Sequence, residues 1–245
     1  MRQPWNFWVI GGDPRYLALA QSLHQDGHTV HTYALGPEAD PALASDTLDG
    51  LGRADCVILP LPANKGDLLN APLVPAPPTL SQVLNALSPG QICCAGRLSP
   101  ELQRETEGRG LAVVDYFARE ELAIANAVPT GEGAIQIAME ELPITLHGAR
   151  VLIIGAGRLS KVLSRQLQGL GSHVTIAARR YADLAWAQVW GYGTERADAL
   201  EGWLCAYDLV INTAPALVLD REALADLKPG CLVIDLASAP GGAGL

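Results

Sequence analysis

Arg179 and Arg180 stand side by side about 20 residues beyond a glycine turn, Gly155-Ala156-Gly157, which itself follows the apolar run of residues 149–154. Glycines at this spacing allow a tight turn and a close backbone approach to a pyrophosphate, whose charge meets the free N–H groups of the next helix. The third glycine of such a fingerprint is Ser160 here, so the match is GxGxxS rather than GxGxxG. Where a chain specific for NAD carries an Asp or Glu for the ribose 2′-hydroxyl, this one has two guanidiniums. Guanidiniums form charge-assisted, bidentate bonds to a 2′-phosphate, and the expected cofactor is therefore NADP. The cofactor-binding candidates are Gly155, Gly157, Arg158, Leu159, Ser160, Arg179 and Arg180. Thr213, Ala214 and Pro215, in the loop after the apolar run DLVI, join them.

Further candidates lie where other strands should end. The turn GGDPR offers Asp13 and Arg15, the latter able to clamp a carboxylate through two parallel hydrogen bonds. In the segment PTGEG, Thr130 suits a helix N-cap and Glu132 a first-turn carboxylate able to take a proton during catalysis. Ser238 follows the apolar run LVID. Turn chemistry alone also accounts for Asn, Thr, Pro and Ser at such places. His24, His28, His31, His147 and His173 have no metal-ligand spacing, and no nucleophile signature is present.

The elements that must position these residues alternate along the chain. Strands are expected at 7–10, 28–34, 56–59, 91–95 and 111–114, with helices at 14–25, near 79–87 and at 99–108. Residues 60–78, with six prolines, read as a long loop. Residues 117–142 read as two helices broken by Pro129, Gly131 and Gly133. Strands follow at 149–154, 173–178, 208–212 and 231–236, and after them only APGGAGL remains, with no closing helix expected. The fold class is α/β, two Rossmann-like domains with parallel doubly wound sheets separated by a cleft. The expected domains are a flavodoxin/Rossmann-like substrate domain at 1–128, a linking helix at 129–146 and an NADP-binding Rossmann domain at 147–245.

Composition narrows the partners. A net charge of −9 over 245 residues, without a basic run, argues against nucleic acid. No apolar run approaches the roughly 18 residues of a membrane span, and MRQPWNFWVIGG lacks a signal-peptide layout, so a cytoplasmic protein is expected. Cys56, Cys93, Cys94, Cys205 and Cys231, odd in number and mostly within apolar runs, read as buried thiols of a reducing compartment.

The order GGDPR, ILPLP, VVDYFAREELAIANAVPTGEGAI, ELPITLHGARVLIIGAGR, VINTAPALVL and LVIDLASAPGG resembles the family of dipicolinate synthase A subunits from spore-forming bacteria. Gly131 departs from that family's usual Ala, and the family pattern continues beyond the PGG segment. The resemblance implies oxidation of a dihydrodipicolinate-level intermediate to pyridine-2,6-dicarboxylate, the calcium-chelating acid of spores, with NADP and a flavoprotein-like B subunit. It makes Gly155, Gly157, Arg158, Arg179 and Arg180 the cofactor contacts and Arg15, Thr130 and Glu132 the substrate side. A small dicarboxylate substrate needs at least two cationic anchors, for which Arg15, Arg97 and Arg119 are available. Two other readings share the layout: a D-2-hydroxyacid or alanine dehydrogenase, and a non-catalytic NADP-binding regulatory subunit. The hydroxyacid version needs a late acid–base histidine, and none follows His173. Oligomeric state, including a homo-oligomer, is left open.

Overall fold

A computed structural model describes residues 3–237 and 241–242, in two units that divide between Leu122 and Ala123. The first unit holds β1 (Asn6–Ile10), α1 (Pro14–Gln25), β2 (Thr29–Tyr33), β3 (Cys56–Ile58), β4 (Asn64–Lys65), β5 (Leu68–Leu69), α2 (Leu80–Asn85), β6 (Ile92–Ala95), α3 (Pro100–Gly108) and β7 (Ala112–Asp115). The second holds nearly all of α4 (Glu120–Glu141), then β8 (Arg150–Ile154), α5 (Arg158–Gly169), β9 (His173–Ala178), α6 (Tyr181–Val189), β10 (Gly193–Arg196), β11 (Leu209–Asn212), α7 (Arg221–Ala225) and β12 (Leu232–Asp235). Each unit has one five-stranded parallel sheet, ordered β2-β1-β3-β6-β7 in the first and β10-β9-β8-β11-β12 in the second. Two Rossmann-like α/β units are thus present.

The inner strands are buried on both faces, which is why they read as unbroken apolar runs. In β8, Val151 and Ile153 pack with Leu163 and Leu167 of α5 and Ala134 and Ala138 of α4 on one face. Leu152 and Ile154 pack with Leu204, Val210 and Leu219 on the other. Val151, Leu152, Ile153 and Ile154 are all wholly buried, each side chain worth about 2 kcal/mol. The first unit repeats the scheme, with Trp8 and Ile10 facing Val83, Leu84 and Leu102, and Val9 facing Tyr16, Ala20 and Val30.

Five expectations need correction. Residues 120–141 form one helix, not two. Pro129 removes only one backbone donor, and a stripe of Ala127, Gly131, Ala134 and Ala138 is buried along the helix. Gly131 serves close packing instead of a break, because a Cβ there would overlap the Gln166 side chain of α5. Thr130 is consequently no N-cap; it lies mid-helix and its hydroxyl donates to the Asn126 carbonyl at 2.8 Å. Glu132 is likewise mid-helix and exposed, outside any first turn. The proline-rich 60–78 segment contains the small antiparallel pair β4–β5. Finally, only Cys56 and Cys93 are buried; Cys94 and Cys231 are half-buried, and Cys205 is exposed in a surface 3-10 turn rather than a strand.

Candidate functional site

In the second unit the chain leaves β8 through Gly155, at φ +110°, where a Cβ would overlap the Thr213 hydroxyl. Only glycine fits that approach. The turn is pinned on both sides: Gly155 N–H donates to the Ala177 carbonyl of β9 at 2.8 Å, and Thr213 Oγ1 donates to the Ile154 carbonyl at 2.8 Å. Gly157 is the N-cap of α5 and supplies no side-chain cap, and nothing lies within 4 Å of where its Cβ would be. The first N–H groups of a 12-residue helix therefore have no side-chain cap, and Gly157 at their head borders open space.

That opening belongs to a groove of about 540 Å³ at the carboxyl ends of β8, β9 and β11. Gly155, Gly157, Arg179, Arg180, Thr213, Ala214 and Pro215 all line it, so these sequence candidates share one wall system. Arg158, Leu159 and Ser160 do not. Arg158 and Leu159 occupy the first turn of α5, while Ser160 is 1% exposed and faces a small cavity beside α6. Ser160 thus fills the close-packing place of the missing third glycine.

Sequence reasoning missed the acids that accompany the arginines. Asp183, a half-turn into α6, takes Arg180 Nε at 2.8 Å and Nη2 at 2.9 Å, a hydrogen bond that raises the Arg180 pKa. Asp198, beyond β10, takes Arg196 Nε at 2.8 Å; Arg196 also donates to the Arg179 carbonyl at 2.9 Å and lies over the Tyr181 ring at 4.7 Å. Arg179 has no hydrogen-bonded carboxylate among the described residues, and it helps hold Asp198 below its usual range after the larger effect of Arg196. A search for acids within a few residues of each strand end would have found both. Asn212, wholly buried, donates to the Asp235 carboxylate at 2.9 Å and the Ala214 carbonyl at 3.1 Å, fixing the loop that carries Thr213 to Pro215.

The first unit gathers Asp13 and Arg15 at the end of β1. Asp13 caps α1 by accepting from Arg15 N–H at 3.0 Å, and its two oxygens take Arg15 Nε at 2.9 Å and Nη2 at 2.7 Å. The Arg15 hydrogen bonds hold the Asp13 carboxyl below its usual range against a rise from burial. Beneath them the Tyr16 and Tyr116 hydroxyls meet at 2.6 Å, and Tyr116 donates to the Leu59 carbonyl at 3.1 Å. Burial raises both phenols. Neither tyrosine was anticipated; position at a strand's carboxyl end was the available signal. Thr130 and Glu132 stand on α4 of the other unit, and Ser238 lies outside the described residues.

Residues 6–117 match the N-terminal domain of the dipicolinate synthase A subunit, and residues 122–244 match the alanine dehydrogenase/PNT C-terminal domain. The dipicolinate synthase A subunit of Bacillus subtilis is 28% identical over 240 residues, 96% of this chain and 81% of that protein. The crystal structure of that Bacillus subtilis protein superposes with a TM-score of 0.86 at 28% identity, covering 100% of this chain and 84% of that one. The crystal structure of the corresponding Bacillus halodurans protein gives 0.87 at 26% identity, covering 98% and 84%. Dehydrogenases of this kind use a nicotinamide cofactor, and the glycine turn, the open helix end and the groove fit one. The chain belongs to the alanine dehydrogenase/PNT C-terminal domain family in its second half, joined in its first to the N-terminal domain of dipicolinate synthase A subunits.

Proposed function

We propose that the chain is the NADP-dependent component of a dipicolinate synthase, oxidising a dihydrodipicolinate-level intermediate to pyridine-2,6-dicarboxylate in the cytoplasm together with a B subunit. The observation that carries this reading is the groove shared by Arg179, Arg180 and the uncapped start of α5, in a chain related to the dipicolinate synthase A subunit along 96% of its length. Bound NADP supplies the hydride acceptor. The chain's own part is to bind and orient. The first N–H groups of α5 hold the pyrophosphate, Arg179 takes the 2′-phosphate, and Arg180 joins by exchanging Asp183 for it. Thr213 to Pro215, fixed by Asn212, border the ring of the cofactor. In the first unit Asp13 and Arg15 are the candidates for holding the substrate; in the second Thr130 and Ser238 are further substrate candidates and Glu132 is the candidate acceptor of the proton released as the ring becomes aromatic. Aromatisation drives the reaction, leaving alignment as the protein's main contribution.

The test is a fluorescence titration with NADPH and NADH, followed by ultraviolet detection of dipicolinate from dihydrodipicolinate synthase product and NADP, with and without the B subunit. NADPH should bind about tenfold more tightly, and dipicolinate should accumulate. Equal affinities overturn the NADP assignment. Tight NADPH binding without product in either mixture overturns catalysis in favour of a regulatory role.

A further inference from the structure

The carboxyl edge of the first sheet holds a second guanidinium, Arg97, one of the cationic candidates of the sequence to which the proposed function gives no role. In the order β2-β1-β3-β6-β7 the chain departs from β1 to one side and β3 begins the other, so the switch point of this sheet lies between β1 and β3. Its floor is the tyrosine pair. Leu61 N–H bonds to Tyr16, the Tyr16 and Tyr116 hydroxyls meet, and Tyr116 donates to Leu59, which commits both hydroxyls. Arg15 stands beyond β1 on one side of this floor. Arg97 stands beyond β6 on the other.

Arg97 has φ +56°, a left-handed conformation that non-glycine residues avoid and that persists only where surroundings impose it. Asp115, at the end of β7, imposes it. One carboxylate oxygen accepts from Arg97 N–H at 3.1 Å and Phe117 N–H at 2.8 Å, and the other from Leu98 N–H at 3.0 Å. Gly96 packs against Leu61 and Tyr116 so tightly that a Cβ would come within 2.7 Å of Leu61 Cδ1 and 2.9 Å of Tyr116 Cε2. Asp115 is therefore spent on backbone, not on the Arg97 side chain. Arg104, Arg109 and Arg119, its neighbours in sequence, are each paired with a glutamate; the exposed Arg97 guanidinium has no such partner among the described residues. One strand separates β1 from β6, so two inter-strand steps of about 4.8 Å set the carboxyl ends of these two strands about 10 Å apart. Arg15 opens α1 five residues past β1 and Arg97 follows β6 by two, both exposed at this edge; Arg15 is held by Asp13 and reaches a ligand carboxylate by exchanging Asp13 for it.

We infer that Arg97 and Arg15 are the paired anchors of a small dicarboxylate at the switch point of the first sheet, with Asp115 the positioning residue that presents Arg97. This rests on the dipicolinate reading and adds the second anchor to it. Isothermal titration of the full chain with NADP present tests it, using pyridine-2,6-dicarboxylate and pyridine-2-carboxylate as probes. The wild type should prefer the diacid by about tenfold or more, one charge-assisted pair being the difference. Arg97→Ala should weaken the diacid to the level of the monoacid and leave the monoacid and NADPH affinities unchanged. Arg97→Lys should restore part of the preference, and Asp115→Asn should lower it while circular dichroism and NADPH binding stay those of the wild type. A preference that survives Arg97→Ala overturns the second anchor and leaves the dipicolinate reading standing. A wild type that binds neither acid overturns that reading and the anchors together.

Discussion

The two sheets place the same kind of helix after their first strand and finish its N-terminus in opposite ways. In the second unit Gly157 caps α5 with no side chain, and the helix end faces a groove. In the first, the Asp13 carboxylate caps α1 and is itself neutralised by Arg15. The switch point between β1 and β3 is floored by Tyr16 and Tyr116, whereas at the end of β8 Gly155 lets the turn lie directly against Thr213 and Ala214 without a side chain between. Topology makes a crevice in both sheets. The turn residues decide whether the anion at the helix end belongs to a ligand or to the chain.

The most damaging way to break this contrast is Gly155→Val. It forces a branched side chain into φ +110° and onto Thr213, and should cost about 2 kcal/mol or more of stability and abolish NADPH binding. Thermal melting and fluorescence titration read both. Gly157→Asp separates the two effects. It copies the Asp13 cap into a place with no steric obstacle, so helix capping should change stability by only a few tenths of a kcal/mol. The new carboxylate would occupy the phosphate's donors, and NADPH affinity should fall about a hundredfold. A Gly157→Asp protein that binds NADPH normally would show that the open helix end is not the pyrophosphate site.

The amino edges sharpen the comparison. Asp55 accepts from Asn6 N–H at 2.7 Å at the start of β1, and Asp208 accepts from Arg150 N–H at 2.7 Å at the start of β8. Asp208 alone adds an ion pair, to Lys228. Burial raises the Asp208 pKa, but hydrogen bonds from Lys228 and the Arg150 backbone outweigh it and hold it below the usual range. A depressed folded pKa means that the stabilisation is complete above the unfolded value near pH 4 and disappears as pH falls through the folded one. Asp208→Asn should cost about 1 kcal/mol at pH 7, and wild type and variant should converge on acidification towards about pH 2. Asp55→Asn, which keeps its single backbone bond, should cost only a few tenths of a kcal/mol. Equal losses from the two variants would sink the assignment of the difference to Lys228.

What the chain disclosed in advance follows the same physics. The strands 149–154 and 173–178 were legible because burial on both faces leaves few polar interruptions, Arg150 and His173 at their exposed starts and Thr175 within the second. β10, with the sequence Gly-Thr-Glu-Arg, was not, because an edge strand half in water carries no apolar run. Pro129 and Gly131 looked like helix breakers, and the missing information was the approach of α5. Arg179 and Arg180 could be placed from spacing, and Asp183 and Asp198 lie near strand ends in the sequence, but which arginine each acid pairs with required the fold. Tyr16 and Tyr116 lie 100 positions apart, beyond the reach of any local pattern.

That tyrosine pair gives the finest test of the contrast. Tyr116 donates to Leu59, so the shared proton at 2.6 Å comes from Tyr16. Tyr116→Phe leaves the Tyr16 hydroxyl without its acceptor and the Leu59 carbonyl without its donor, and should cost about 1–2 kcal/mol. Tyr16→Phe leaves the Leu61 N–H without its acceptor and a lone pair of Tyr116 unused while Tyr116 still reaches Leu59, and should cost about 1 kcal/mol. The double variant should be less unstable than the sum, since the second change removes a group the first had already left unpaired. NADPH affinity should stay within about twofold in all three, because every residue of the groove belongs to the other unit. Strict additivity in urea melts would mean that the hydroxyls do not act as one unit, and the floor of the first crevice would then be held by ring packing alone.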